Sequence, residues 1–345
     1  MAGNTRRIVA FPLNGNVYTE TLYAEVQRRG VEVVEGLWLS GWLVRNLRRT
    51  DIIHIHWPSF LYSVPSSPVR TTVRLARMIF LLAFAKLRGA KVVWTAHNLY
   101  PHDTAGERWA DRLGRKIIVA FADLVFVHGQ SAGAIVAREL GVHASQLRVG
   151  HHGHWVDVYP NTIGRSASRA RLHVDLDEYL YLYIGRCRPY KGLESLIAAF
   201  AETSVSGRLI IAGSFSSPQY LETIRQLVAC TARVELVPQL IPDDEIQIYL
   251  NAADCVVLPY RAVLTSGTAM LALSFGRPVI APNLGAIRDH VGPHSGILYA
   301  ADVPQALTEA LTAIRSLRFD EHAIKNQALG LTWSRLADML LDIKD

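Results

Sequence analysis

The sequence predicts an α/β protein built from two Rossmann-like domains. Three observations carry this prediction. The chain has 345 residues, more than one hydrophobic core commonly supports. Short β-branched or aromatic runs recur between longer amphipathic stretches, the pattern of strands alternating with helices in a parallel sheet. A stretch rich in Ser, Arg and Asp with weak periodicity, residues 161–177, separates two series of such runs.

In the first series the strands are expected at residues 8–12, 31–37, 51–57, 91–96, 124–128 and 147–149. In the second they are expected at 180–184, 208–212, 233–237, 255–259, 278–281 and 296–298. The domains are therefore drawn as 1–160 and 161–320, with 321–345 as a C-terminal helical segment able to pack back on the first. No internal repeat or low-complexity tract competes with this division.

Composition narrows the class. Hydrophobic residues make up 50% and charged ones 19%, which excludes a disordered chain. The net charge of +6 is uneven: residues 1–160 carry +8 and the remainder −2. A basic first half suits phosphates or an anionic membrane, or is simply a solvated surface. No nucleic-acid partner is expected. Cys187, Cys230 and Cys255 are isolated and odd in number, as in a protein with reduced thiols, and structural zinc is not expected. The N-terminus runs into an apolar strand without the pattern of a secretory signal, so a cytoplasmic location is expected.

Residues 69–88 have Met78 to Ala85 as their longest uncharged run, too short to span a bilayer. On a helix, Arg70, Arg74, Arg77 and Arg88 fall on one stripe. Two readings stay open: a helix lying on an anionic membrane, or a Rossmann helix with its charged stripe in water.

The segment from Tyr183 to Phe200 reads as strand end, loop and helix. Gly185 allows close approach of a ligand, and Arg186 and Lys191 bring cations to the carboxyl end of a strand, where open α/β sheets bind ligands. A second strand ends near Pro259 and is followed by Thr265-Ser266-Gly267-Thr268. Here Ser266 is placed to cap a helix over about 267–275, whose free N–H groups suit a phosphate. Together these elements predict a diphosphate cradle. Charge developing on a leaving diphosphate needs such fixed cations and N–H groups.

At these residues the chain resembles the GT-B glycosyltransferases, over nearly its whole length. The nearer resemblance is to the GDP-mannose:glycolipid 4-β-mannosyltransferases of xanthan assembly and their relatives. It rests on His54-Ile-His56-Trp57-Pro58, Thr95-Ala-His97-Asn98-Leu99 with Pro101-His-Asp103, His152-Gly-His154, Arg188-Pro-Tyr-Lys191-Gly192, and Leu258-Pro-Tyr260 with Ser266-Gly267-Thr268. The resemblance implies two Rossmann-like domains facing each other across a cleft, a sugar-nucleotide donor held by the C-terminal domain, and Tyr260 at the donor site. It also implies inverting transfer of mannose from GDP-mannose to a glycan acceptor, lipid-linked at the cytoplasmic membrane face. The chain departs from the large family 4 pattern, which carries two glutamates eight positions apart: Val263 and Leu271 stand there.

An inverting transfer needs a base near the acceptor hydroxyl, and in this fold that face belongs largely to the N-terminal domain. The loop after residues 91–96 holds His97, Asn98, His102 and Asp103. Asp103 is the first candidate and His97 the second; a helix N-cap is the alternative role for Asp103. His56 and Trp57 suit sugar binding or wall packing, and Asn16 and Tyr18 are placed to line the acceptor cleft. His152 and His154, by position and resemblance, are assigned to the cleft on the donor side. The loop Pro238 to Pro242, with Gln239, is the candidate nucleobase contact. Neither the His151-His152-Gly153-His154 strip nor Asp175 and Asp177 has convincing ligand spacing, so no metal and no cofactor beyond the donor is expected. Two rivals share the fold: a non-hydrolysing sugar-nucleotide epimerase and a catalytically silent nucleotide-binding subunit.

Overall fold

The apolar runs form two parallel sheets of six strands each in a computed structural model, which describes residues 6–38, 40–65, 67–100, 108–204 and 206–343. The first sheet uses β1 (Arg7–Phe11), β2 (Glu32–Glu35), β3 (Asp51–Ile55), β4 (Lys91–Thr95), β5 (Leu124–His128) and β6 (Leu147–Gly150). The second uses β7 (Leu180–Ile184), β8 (Arg208–Ala212), β9 (Val234–Val237), β10 (Cys255–Val257), β11 (Val279–Pro282) and β12 (Gly296–Tyr299). Each expected strand is present. The interior strands β1, β3, β5 and β7 are buried along their whole length, which is why they read as unbroken apolar runs.

Strand order is β2-β1-β3-β4-β5-β6 in the first sheet and β12-β11-β10-β7-β8-β9 in the second. The order therefore reverses between β1 and β3 in one unit and between β7 and β10 in the other. A crevice opens at the carboxyl ends of strands at such a switch point, because the helices that follow leave on opposite faces. Both candidate sites fall there.

The first compact unit runs to His152 and resumes at Thr332; the second is Gly153–Leu331. This differs from the expected divisions at 160 and 321. Residues after 152 bond within the second unit: the Trp155 backbone N–H donates to Ser274 Oγ at 2.8 Å, and its indole donates to the Gly267 carbonyl at 2.9 Å. The expected junction at 161–177 contains a helix, Arg165–Arg171, whose Arg169 is fully buried and bonded to Asp254 at 2.7 Å and to the Ala252 carbonyl at 3.0 Å. Its polar composition reflects buried ion pairing, which single-sequence reading takes for a solvated linker. The helix Glu321–Leu329 belongs to the second unit, tied in by the Arg277–Glu321 ion pair. Only the helix Trp333–Leu341 returns to the first, where Arg29 donates to Asp338 at 2.6 Å and to the Ser334 carbonyl at 2.7 Å.

The arginine-striped segment is a helix, Pro68–Leu87, that packs Leu75, Met78, Leu81, Leu82 and Ala85 into the first unit. Among the described residues no helix is long and apolar enough to cross a membrane.

Candidate active site

In the second unit the site grows from β7. Gly185 has φ +130°, a conformation L side chains rarely adopt, and a Cβ there would lie 3.5 Å from Thr268 Oγ1. The loop after β7 and the helix after β10 therefore meet at that glycine. Gly213, at the end of β8, is closer still: an added Cβ would fall 1.7 Å from the Gly185 carbonyl oxygen. The floor of the site is bare backbone because side chains do not fit.

Gly192, at φ +69°, lies against the Pro259 carbonyl, where a Cβ would come within 2.1 Å. That contact seats Lys191 beside the end of β10, with its Nζ 3.6 Å from the centroid of the Tyr260 ring. The aromatic face holds the ammonium in place while leaving its protons for an anion. Arg261 is occupied elsewhere, by Glu194 at 3.2 Å.

Ser266 caps the helix Gly267–Ser274 by accepting from the Ala269 N–H at 3.1 Å. The N–H groups of Gly267 and Thr268 are then the orphan donors of its first turn. A cavity of 190 Å³ adjoins this turn, lined by Gly185, Arg186, Thr268, Tyr159, Asp243 and Leu271, among others. Lys191, Tyr260, Ser266 and Gly267 are neighbours of the cavity rather than part of its wall. Gln239 is exposed and outside the lining, whereas Leu240 and Ile241 beside it contribute.

Residues missed by sequence reading are Tyr159, Gly213, Ser214 and Asp243. Tyr159 lies well before β7 in sequence, and no local pattern marks it. Its hydroxyl is pushed up to about 12 by burial and then by the nearby Asp243 carboxylate. Burial likewise pushes the Cys187 thiol up to about 12, which keeps it protonated. Leu271 faces the cavity and Val263 packs its carbonyl on Gly285, so no carboxylate stands at either of these positions.

In the first unit, the carboxyl ends of adjacent strands carry rings. His56 follows β3, His97 follows β4, His128 ends β5 and His152 follows β6. Tyr18, from the first turn after β1, is surrounded by these four imidazoles at centroid distances of 5.8, 4.6, 5.3 and 5.3 Å, with Trp333 at 5.2 Å. Its hydroxyl is buried and has no partner among the described residues. Trp57 stacks on His97 at 4.7 Å and 19°.

A hydrogen-bonded chain runs behind His97. Thr95 Oγ1 pairs with His54 Nε2 at 2.8 Å, His54 Nδ1 with the Tyr23 hydroxyl at 2.9 Å, Tyr23 with His56 Nε2 at 2.7 Å, and His56 Nδ1 with His97 Nε2 at 2.9 Å. Burial holds all three imidazoles below the ordinary value: His54 at about 3, His56 and His97 well below 6.5, the last two also through neighbouring imidazoles. They are neutral at physiological pH. In a neutral chain each link has one donor and one acceptor, so with the Tyr23 proton used within the chain only two proton arrangements are consistent. In one of them His97 Nε2–H donates to His56, which leaves Nδ1 of His97 as an open acceptor.

The remaining predicted residues separate. Asn16 is exposed and caps the helix Val17–Gln27 by accepting from the Tyr18 N–H at 2.9 Å. Asn98 is half-buried beside His97. His152 belongs to the ring cluster of the first unit, and His154 to the second, where its N–H donates to the Leu331 carbonyl at 2.9 Å. Asp103 lies outside the described residues. Asp175 and Asp177 sit in an exposed turn. Among the described residues no group of three or more His, Cys, Asp or Glu is placed to hold a metal ion.

Comparison with known proteins gives these features a context. The family model described as glycosyl transferases group 1 matches residues 178–316, the stretch that contains the glycine floor and the capped helix. The chain is 30% identical over 275 residues to the GDP-mannose:glycolipid 4-beta-D-mannosyltransferase of Xanthomonas campestris pv. campestris, covering 77% of this chain and 71% of that one. It is 26% identical over 263 residues to the putative teichuronic acid biosynthesis glycosyltransferase TuaC of Bacillus subtilis, covering 76% and 60%. Among solved structures, Anabaena HepE in complex with UDP aligns with a TM-score of 0.72 at 15% identity, over 98% of both chains. Sucrose-phosphate synthase from Thermosynechococcus elongatus aligns with a TM-score of 0.69 at 20% identity, over 98% and 97%.

Proposed function

The chain belongs to the group 1 glycosyltransferases, with the GT-B fold, and we propose that it transfers mannose from GDP-mannose, with inversion, to a lipid-linked glycan acceptor. The observation that carries this reading is the cavity at the β7/β10 switch point, where a glycine floor, a cationic side chain and a helix N-terminus converge.

In the proposed reaction an acceptor hydroxyl oxygen attacks the anomeric carbon, the bond from that carbon to the diphosphate oxygen breaks, and the hydroxyl proton passes to a base. The negative charge that grows on the diphosphate is taken by Arg186, Lys191 and the N–H groups of Gly267 and Thr268. These groups do what a divalent cation does elsewhere, so the reading requires no cofactor besides the donor. Absence of a carboxylate at Val263 and Leu271 supports a single displacement, with no protein carboxylate at these two positions to take part on the donor side. We assign the base to the segment following β4: Asp103 first, His97 second, with Asn16, Tyr18, His56, Trp57 and Asn98 toward the acceptor.

Two things support guanosine. The 30% identical relative carries GDP-mannose in its name. Asp243, beside Tyr159 in the cavity wall, offers a carboxylate that suits the paired N1–H and N2–H donors of guanine, and uracil has no such pair. The lipid-linked acceptor, like a place at the cytoplasmic membrane face, is part of the proposal. A thermal-shift panel of GDP, UDP and ADP tests the donor: the reading expects the largest shift with GDP and loss of that shift in Arg186→Ala and Lys191→Ala. Equal shifts with all three nucleotides would defeat the guanosine assignment.

A further inference from the structure

We propose that the helix Pro68–Leu87 and the neighbouring helix Arg108–Phe121 together form a docking face for an anionic lipid surface. This deepens the lipid-linked acceptor reading and rests on it for its purpose, but not for its geometry.

The first observation is an apolar stripe on the solvent side of the first unit. On the helix Pro68–Leu87 the residues Val69, Val73, Ala76, Phe80 and Leu87 recur at spacings of three, four and seven, so they share one face opposite the buried one. Val69 is 76% exposed, Phe80 58% and Leu87 88%. On the helix Arg108–Phe121, Trp109 and Leu113 are four apart and exposed as well. Isolated exposed apolar residues need no explanation; a row of them on adjoining helices does.

The second observation is the charge beside the stripe. The helix Pro68–Leu87 contains no Asp or Glu. Arg70 lies about a quarter-turn from the stripe and Arg74 about a third of a turn, both exposed, and Arg112 and Lys116 share the exposed face of the second helix. The single carboxylate of that helix, Asp111, is buried and paired with Arg115 at 3.1 Å, so it cancels none of this charge at the surface. Arg74 also donates to the Ser63 carbonyl, at 3.4 Å and from an exposed position, while Arg77 and Arg88 donate to the carbonyls of Trp38 and Leu47. The cations turned to solvent are thus only partly those of the arginine row read from sequence.

An apolar row flanked by cations fits lipid headgroups, with the rings and branched chains entering the interface and the arginines meeting phosphates. A second copy of the chain fits less well, because pairing like faces would bring the two arginine rows together. The placement has a consequence for the site. In this parallel sheet both helices start near the carboxyl edge of the strands, so Val69, Trp109 and Leu113 lie toward the edge that carries His56 and His97. A lipid-anchored glycan would rise from the membrane beside those rings.

Flotation of the full chain with phosphatidylcholine vesicles, with and without phosphatidylglycerol, tests the face. The expected result is binding only when phosphatidylglycerol is present, release at high salt, and weakening by about tenfold or more in Phe80→Ser/Leu87→Ser and in Arg70→Glu/Arg74→Glu. These positions are exposed, so the variants fold, and their GDP thermal shift serves as the control. Absence of wild-type binding, binding indifferent to both variants, or a concentration-dependent dimer that Phe80→Ser/Leu87→Ser dissolves would overturn the proposal. Loss of the GDP shift in wild type would instead strike the donor reading and leave the docking face intact.

Discussion

The two sheets present opposite chemistry at equivalent places. At the β1/β3 switch point of the first unit the carboxyl edge is closed by buried, neutral rings joined in a hydrogen-bonded chain. At the β7/β10 switch point of the second it is a bare glycine floor beside Arg186, Lys191 and a helix N-terminus. One edge is suited to moving a proton without carrying charge, the other to holding charge without moving a proton. A glycosyl transfer needs both tasks, and the difference teaches that one fold supplies each by changing residues at the carboxyl ends of its strands and in the loops and helices that follow.

Substitutions at the two edges should therefore fail differently. The largest effect is expected from the base: of Asp103→Asn and His97→Ala, the substitution that removes the true base lowers kcat by about 10²- to 10⁴-fold while leaving the GDP thermal shift unchanged. A parallel loss of GDP affinity would erase the contrast between the edges. Next, Arg186→Ala and Lys191→Ala should each lower kcat/KM by about 10²- to 10³-fold, in step with weaker GDP binding. Steady-state kinetics with calorimetric titration of GDP separates the two patterns.

Tyr23→Phe sharpens the comparison further, since it removes the hydroxyl that joins His54 to His56. Two imidazole nitrogens, Nδ1 of His54 and Nε2 of His56, then lose their partner in a dry environment, each at a cost of about 1–3 kcal/mol measurable by urea denaturation. The pH profile of activity should shift with it, whereas a merely packed tyrosine would leave that profile in place.

The neutral chain also makes a prediction about pH. The folded pKa values of His54, His56 and His97 lie below the ordinary 6.5. The unfolded chain thus binds protons that the native state refuses once the pH falls below that value. Stability is complete above it and declines as the pH drops, by about 1.4 kcal/mol per pH unit for each such histidine. Unfolding at about pH 7.5 and about pH 5 should show the native state clearly weaker at the lower pH; equal stabilities would contradict the burial assigned to these rings. The smallest effect is expected at Asp243→Asn, which should narrow the preference for GDP over UDP by about tenfold with little change in kcat.

Much of this contrast was legible in the sequence, for physical reasons that differ by element. Parallel strands buried on both faces must be continuously apolar, so β3, β5 and β7 stand out without any alignment. Gly185, Ser266 and Thr268 were legible because tight turns and helix caps restrict residue type locally. Tyr159 and Asp243 were not, because a cavity wall recruits residues distant in sequence. The domain boundary was misplaced because Arg169, a residue that looks solvent-seeking, is buried on Asp254, and Trp155 is anchored by bonds to Ser274 and Gly267. The relay through Tyr23 was hidden as well: nothing in the helix Val17–Gln27 marks that hydroxyl as the link between two strands' histidines.

The most direct test of the central claim is to follow GDP-mannose labelled at the anomeric carbon by NMR, with a glycolipid acceptor, in wild type and in Arg186→Ala. The account predicts release of GDP together with a new β-mannoside in wild type, and loss of both signals together in the variant. An α-mannoside, or unimpaired transfer by Arg186→Ala, would contradict it.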